Sequence, residues 1–288
     1  MIKKLFILLL ASLIFSSLSL AKSLPNQLIV PGGILIMPVA ELSKTAPKVF
    51  FNKNRALVAA TDTEWVALVG IPLSTKVGDH KITIQTGTET QQKSFNVVDK
   101  EYPAQYLTIK KKRMVTGFTE EDLKKINNDK KVMTKAKDLW TEQIIDADFI
   151  APVDGRLSSL FGLKRFFNDI PKRPHNGLDI AAPTGTPILS PASAKVIDTG
   201  NFYFNGNTVF LDHGQGLLSA YLHMNTITVK PGQQVKQGDA LGTVGETGRV
   251  TGPHLHWIVY LNKTPVDPAL FIADDIVRLD ARNKKATK

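Results

Sequence analysis

Between about positions 24 and 100 apolar residues arrive in short runs cut by turn residues. Residues 28–30, 34–36, 49–51, 56–59, 65–69 and 81–84 form the runs, and Pro31-Gly32-Gly33, Asn52-Lys53-Asn54, Gly70-Ile71-Pro72 and Val77-Gly78-Asp79 break them. Runs of this length, bounded by Gly, Pro and Asn, predict strands and tight turns. Thr86-Gly87-Thr88 separates 82–84 from 94–98 as a closing hairpin. The pattern predicts a small β-sandwich of immunoglobulin-like type over 22–105. Its one histidine, His80, stands beside Asp79 and reads as a solvated loop residue. With no cluster of titratable groups, this region predicts a spacer, a binding module or a cover for a site elsewhere.

Over 106–147 the period changes. Lys110-Lys111-Lys112-Arg113 is a charge run and predicts a solvated linker face. Thr119 followed by Asp122 is a capping-box-like start. Leu123, Ile126, Met133, Ala136, Trp140 and Ile144 then recur mostly at steps of three and four, which predicts an amphipathic helix with a break near Asn127-Asn128-Asp129. Its apolar stripe must bury against something, and the β regions on either side are at hand; a dimer contact is the alternative.

From 148 to 273 the chain reads as β again. The stretch 163–174, with Arg165, Phe166, Phe167, Lys172 and Arg173, predicts a loop walling a groove, and 201–207 predicts a second loop opposite it. Residues 188–192 and 195–197 pair as strands. Residues 208–211 run as a strand into Asp212-His213-Gly214, and 217–222 return antiparallel to deliver His223. Lys230-Pro231-Gly232-Gln233 is a turn. Residues 235–239 and 241–245 lead to the strand of His254-Leu255-His256, and 274–288 form a basic tail.

Lys and Arg number 36 against 26 Asp and Glu, a net charge of +10. Such a balance suits an anionic polymer through long-range steering that salt would screen. Nucleic acid is disfavoured, because no basic stripe is interleaved with aromatics. At the start, Lys3 and Lys4 precede an apolar run over 5–14, and Ser19-Leu20-Ala21 is a small-x-small cleavage site. This predicts a secretory signal over 1–21, since the run is too short and Ser-interrupted for a membrane span. No stable membrane insertion is expected after cleavage. The absence of Cys opposes a lipid anchor and fits an exported protein without disulfides, though it decides no compartment.

Four of the six histidines gather in His175-Asn176-Gly177-Leu178-Asp179, Tyr221-Leu222-His223 and His254-Leu255-His256. In a strand, residues i and i+2 share a face, so His254 and His256 would point into one cleft, roughly 6–7 Å apart at the backbone. His175 and Asp179 would lie about 13 Å apart in a flat strand. A helix is opposed by Gly177 and by the Pro- and Gly-rich 181–187. A strand end bent at Gly177, where the missing Cβ frees the backbone, would make imidazole and carboxylate converge. Two imidazoles and a carboxylate without thiolate match the open three-ligand pattern of catalytic zinc. Singly each motif is weak, and a lone histidine such as His223 is more often structural. Their coincidence in one turn-rich segment is the signal.

The combination of His175-x-Gly177-x-Asp179, of Asn207-Thr208-Val209-Phe210-Leu211-Asp212-His213-Gly214 with Tyr221-Leu222-His223, and of Thr247-Gly248-Arg249-Val250-Thr251-Gly252-Pro253-His254-Leu255-His256, extending through Pro265-Val266-Asp267-Pro268, resembles the M23 (LytM/lysostaphin-type) zinc metallopeptidases. Members of that family cut peptidoglycan cross-links. The resemblance covers 148–273 and implies an open antiparallel β-sheet groove. It implies one zinc per chain held by His175, Asp179 and His256, with His223 and His254 as the catalytic pair. Zinc lowers the pKa of its water towards about 7. An imidazole with an unperturbed pKa near ~6.5 can take that proton or, when protonated, support the oxyanion. His213, Asp212 and Asp267 read as structural, Tyr203 and Arg249 as candidates to touch substrate.

The resemblance thus implies an exported, periplasmic zinc endopeptidase acting on peptidoglycan stem peptides. The D-Ala to meso-diaminopimelate bond is favoured over glycine bridges, because no SH3-like wall-targeting repeat is present. Two alternatives stand beside this. One is a non-catalytic LytM-like regulator that activates a cell-wall amidase, opposed by the presence of all five site residues. The other is a latent enzyme whose N-terminal domain or 163–174 loop fills the groove, so that a chain starting near Ile145 would be the more active.

Overall fold

The computed structural model describes residues 24–143, 145 and 147–272. The predicted signal at 1–21, the tail at 274–288 and the stripe residue Ile144 lie outside them. Six strands come first: β1 (Ile34–Glu41), β2 (Lys48–Phe51), β3 (Asn54–Ala60), β4 (Glu64–Gly70), β5 (Gly78–Thr86) and β6 (Glu89–Val97). They follow one antiparallel path in the order β1-β4-β3-β2-β5-β6. β3 changes partner along its length, pairing with β2 at Asn54, Arg55 and Ala56 and with β4 from Leu57 onward. The path thereby folds over a core of Leu35, Val49, Val69, Ile82 and Ile84. The predicted β domain is present, but its strand order does not carry the finer immunoglobulin-like assignment. His80 corrects the sequence reading: it lies within β5, opposite Phe95 and edge-on to Phe51, half-buried rather than in a solvated loop.

β4 is buried on both faces, and its alternation serves two cores. Ala67 and Val69 face the N-terminal core. Val66 and Leu68, with Ile34 and Leu57, join the core of the C-terminal region beside Leu261 and Val266. The junction is pinned by Asn262, whose amide accepts from the Gly70 N–H at 2.6 Å and donates to the Gly70 carbonyl at 3.0 Å. A Cβ at Gly70 would meet Val266 and Leu261 at 2.8 and 2.9 Å. The N-terminal domain is therefore packed onto its neighbour rather than tethered to it.

The connection holds β7 (Ala104–Leu107), a 3-10 turn at Lys112–Met114 and α1 (Glu120–Asp138). The capping box is there: Asp122 N–H donates to the Thr119 hydroxyl, and Thr119 N–H to the Asp122 carboxylate. Three features differ from the predicted helix. It runs unbroken through Asn127-Asn128-Asp129, because the Asp129 carboxylate is held by the Tyr203 N–H at 2.6 Å. It ends at Asp138, before Trp140, which instead lies under the Arg55 guanidinium of the N-terminal domain. Leu123 is exposed, so the buried stripe shortens to Val132, Met133 and Ala136, packed near Phe202, Phe210 and Leu222.

The remaining strands are β8 (Arg156–Ser159), β9 (Lys164–Phe167), β10 (Ile170–Pro171), β11 (Leu178–Ala181), β12 (Pro187–Leu189), β13 (Ala194–Phe202), β14 (Gly206–Asp212), β15 (Leu218–Met224), β16 (Thr226–Ile227), β17 (Gln234–Val235), β18 (Ala240–Thr243), β19 (Leu255–Leu261) and β20 (Thr264–Val266). The main sheet runs β17-β13-β14-β15-β19-β11-β8, with β20 beside β19, and all its pairings are antiparallel. A small sheet β12-β18-β16 adds Ile188 and Leu241 to the inner core. Along β19, Leu255, Trp257, Val259 and Leu261 face that core. Ile258 and Tyr260 face the other way, onto the side that α1 covers.

Both predicted groove loops are more ordered than expected. Residues 164–171 form the β9–β10 hairpin, turned by Asn168 and Asp169 at φ +50° and +65°, a pair of left-handed residues suited to a two-residue turn. β9 then pairs in parallel with β7 of the connection. Within 201–207 only Tyr203, Phe204 and Asn205 form the turn, since β13 and β14 take the rest.

Candidate metal centre

Three neighbouring strands set the site. In the main sheet Asp179 of β11 stands opposite His256 of β19, and His256 stands opposite Leu222 of β15. Cross-strand partners share a face, so both groups rise on the side that α1 covers further along. His175 precedes β11 and is brought in by its backbone, whose N–H donates to Leu163 O and whose carbonyl accepts from Gly162 N–H. The chain bends at Gly177, just before β11, as predicted, although its backbone stays out of the left-handed region. A Cβ there would lie 2.4 Å from Trp257 O and 2.9 Å from the His256 ring, so glycine lets β11 approach β19 at the site.

The three groups converge. His175 Nε2 lies 3.0 Å from Asp179 Oδ1 and 2.9 Å from His256 Nδ1, which is 2.6 Å from Asp179 Oδ1. All three are buried, and their ligand atoms lie within 4.8 Å of one another. His175 Nδ1 is 2.6 Å from Leu160 O, which can only accept, so Nδ1 carries the proton and Nε2 presents its lone pair. Burial acts to raise the Asp179 carboxyl, but His175 and His256 outweigh it and hold Asp179 well below the usual carboxylate range. Burial pushes the His256 imidazole down to about 4, against the pull of Asp179.

His223 and His254 complete the constellation. Regular alternation would point His223 away from the face of Leu222. Instead it sits at φ +63°, a left-handed conformation that non-glycine residues rarely adopt. This turns its ring to 4.9 Å from that of His254 and 6.0 Å from that of His256. Its Nδ1–H donates to Thr247 O at 2.8 Å, and His254 Nδ1–H to Gly252 O at 2.8 Å. Both rings therefore keep a bare Nε2, and that of His254 is 3.9 Å from Asp179 Oδ1. Burial first, then the neighbouring His254 and His256, holds His223 well below its ordinary value. His213 lies elsewhere, buried against Phe149 and bonded to Ser219, and takes no part.

The chain is 41% identical to a protein of known structure from Pseudomonas aeruginosa described as a peptidase M23, over 85% of this chain and 96% of that one, with a TM-score of 0.73. The chain belongs to peptidase family M23. The M23 peptidase model matches residues 173–268, and the M23 N-terminal domain model matches 27–100. The M23 region is also 43% identical over 120 residues to the peptidoglycan DD-endopeptidase ShyA of Vibrio cholerae, covering 40% of this chain and 28% of ShyA. It is 41% identical over 131 residues to the cell division protein DipM of Caulobacter vibrioides, covering 43% of this chain and 21% of DipM. The chain thus matches less than a third of the length of these curated relatives.

Around the M23 site the structure adds residues that sequence pattern did not single out. Arg165 Nη2 donates to Asp179 Oδ2 at 2.7 Å and to Ser159 Oγ at 3.1 Å. Ser159 Oγ also lies 3.2 Å from His175 Nδ1 and donates to Gln105 Oε1 at 3.1 Å. Arg165 had been legible only as one of several basic residues in a supposed loop. Nothing in the local sequence of Gln105 marks it, since its role comes from the parallel pairing of β7 with β9.

Proposed function

We propose that this chain is an exported zinc-dependent endopeptidase that hydrolyses peptide cross-links of peptidoglycan, at the bond from D-Ala to meso-diaminopimelate. The observation that carries this reading is the convergence of His175 Nε2, His256 Nδ1 and Asp179 Oδ1 in a buried place. Three electron-pair donors with at most one proton among them, in the neutral state of both rings, are poorly matched to one another without a cation. Two imidazoles and a carboxylate suit zinc and leave a coordination position open. When bound, zinc supplies Lewis acidity that polarises a carbonyl and acidifies water.

The chain's own groups supply the rest. His175 is oriented through Nδ1 by Leu160 O, and Asp179 is held by Arg165 through the oxygen that faces away from the imidazoles. His223 Nε2 and His254 Nε2 face the cleft with lone pairs free, so either can take a proton from water, and the protonated ring can donate to a developing oxyanion. The peptidoglycan DD-endopeptidase description of ShyA supports the substrate class, and the net charge of +10 suits an anionic wall. Export rests on the signal-like pattern at 1–21. In this reading 22–105 and 148–273 are the two domains and 106–147 connects them.

A second reading, latency, has its own support. The segment after β7 ties together the elements that flank the site: Met114 O accepts from Arg249 Nη1 at 3.3 Å, and Val115 O from Lys172 Nζ at 3.1 Å. The Phe118 ring lies edge-on to Tyr203 and Phe204 at 6.2 and 5.8 Å. Such a strap would have to yield to a bulky polymer. The regulator reading is opposed by the presence of all five site residues.

The test is digestion of purified cross-linked peptidoglycan by the metal-loaded chain, with His175→Ala and chelator controls, and product identification by mass. Cross-linked dimers should give monomers ending in D-Ala. A protein that binds zinc stoichiometrically yet leaves dimers intact would point to latency, and one that binds none would revive the regulator.

A further inference from the structure

Arg249 is half-buried, and its guanidinium packs against two aromatic rings, 4.7 Å from the centre of Phe167 and 4.3 Å from that of Phe204. A guanidinium has five N–H donors. Here one long bond, Nη1 to Met114 O at 3.3 Å, is the only hydrogen bond from its side chain among the described residues, and none of their carboxylates pairs with it. The Phe167 ring is shared with Arg165 at 6.0 Å, and Arg165 is the group that holds Asp179. The loop carrying Arg249 also orients His223, because Thr247 O accepts from its Nδ1–H. An under-paired cation is thus held on the loop that orients His223, one ring away from the arginine that pairs with Asp179. Rings packed against a guanidinium leave its N–H edge as the part that can pair with a planar carboxylate.

We propose that Arg249 is a specificity-determining residue whose guanidinium receives a free carboxylate of the substrate peptide next to the scissile bond. This rests on the reading of the site as a peptidoglycan peptidase, and it deepens that reading. In a link from D-Ala to meso-diaminopimelate, the carbon bearing the scissile nitrogen also bears a free carboxylate. Glycine bridges and lysine-type links have none at that carbon. Met114 O occupies one Arg249 donor in the present arrangement, where the carboxylate would take two.

The test uses the full chain and two cross-linked muropeptide dimers that differ at one group, the diaminopimelate carboxylate being free or converted to its carboxamide. Cleavage is followed with the wild type, and binding with zinc-loaded His254→Ala by calorimetry. Each is repeated with Arg249→Met and with Arg249→Lys, which keeps the charge. A charge-assisted bidentate pair predicts that the wild type prefers the free carboxylate by about 10- to 100-fold, mostly in KM and Kd. Arg249→Met should lose that preference, and Arg249→Lys should recover part of it. Equal handling of the two dimers by the wild type, or full preference retained in folded Arg249→Met, overturns the assignment. Discriminating binding without cleavage would sink the peptidase reading while leaving the carboxylate at Arg249.

Discussion

Gln105 and Arg165 occupy paired positions in the parallel ladder between β7 and β9, and both bond to the hydroxyl of Ser159. The chemistry of each partner fixes the direction of every bond. Arginine can only donate, Leu160 O can only accept, and the Ser159 proton goes to Gln105 Oε1. Ser159 then accepts from Arg165 and faces the His175 Nδ1–H, so a strand of the connecting segment supports the candidate metal centre. Outer partners of this kind typically change metal affinity 10- to 100-fold when removed. Ser159→Ala should therefore weaken zinc binding by about 10-fold, and Gln105→Leu should weaken it less. Competition with a chromophoric chelator measures this, and unchanged affinity in both variants would reduce the network to packing.

The site divides into groups that hold the metal and groups that move protons. His175→Ala or Asp179→Ala should lose stoichiometric zinc and hydrolysis together, because each removes one of three converging atoms. His223→Ala should keep its zinc, since its ring meets His254 and His256 without joining the three. Its turnover should fall by roughly 10²- to 10⁴-fold, the usual worth of a positioned acid or base. Zinc content by elemental analysis beside activity decides the matter. Loss of zinc from His223→Ala would move that residue into the ligand set.

What the sequence made legible was periodic or local in origin. The two-residue spacing brings His254, in a bridge just before β19, and His256, within it, to the same side near Asp179, and the Thr119–Asp122 cap is a local hydrogen bond that a pattern can find. The β-rich architecture followed from short apolar runs. What escaped was set by tertiary approach. Gly177 sits at the predicted bend, but it also admits the close approach to Trp257 O, and no neighbour in sequence announces that. His223 faces the cleft through a left-handed φ that alternation would not forecast. Asn168-Asp169, a turn signal by composition, was hidden within a stretch read as loop, so the β9 strand and its partner β7 were missed together.

The strap makes latency testable by a single side chain. Phe118 packs edge-on to Tyr203 and Phe204 and touches none of the five site residues through its ring contacts. Phe118→Ala removes that anchorage and leaves β7 and Gln105 in place, whereas a chain starting near Ile145 would lose both. If the strap limits access, losing about 1–2 kcal/mol of contact should raise hydrolysis of intact peptidoglycan roughly 5- to 30-fold. Small soluble muropeptides should respond less. Equal or lower activity on the intact polymer would remove the strap as a source of latency.

His213 gives a pH dependence separable from the metal centre. Its ring is buried, Nδ1–H donates to Ser193 O at 3.2 Å, and Nε2 lies 2.8 Å from Ser219 Oγ. Burial pushes its pKa down from 6.5 to about 4. Between those values the unfolded chain binds a proton that the folded chain refuses, so stability is lost as pH falls from above 6.5 towards 4. Lowering pH from ~7 to ~5 should cost the metal-free protein about 2 kcal/mol through this residue. The buried His256 and His223 add to the total slope, so the informative quantity is a difference between proteins. His213→Gln, which retains a donor and an acceptor, should be less stable than wild type near neutrality, yet lose about 2 kcal/mol less on going to pH ~5. Urea midpoints at both pH values, taken without metal, provide the comparison. Parallel losses in the two proteins would mean that His213 is as easily protonated folded as unfolded.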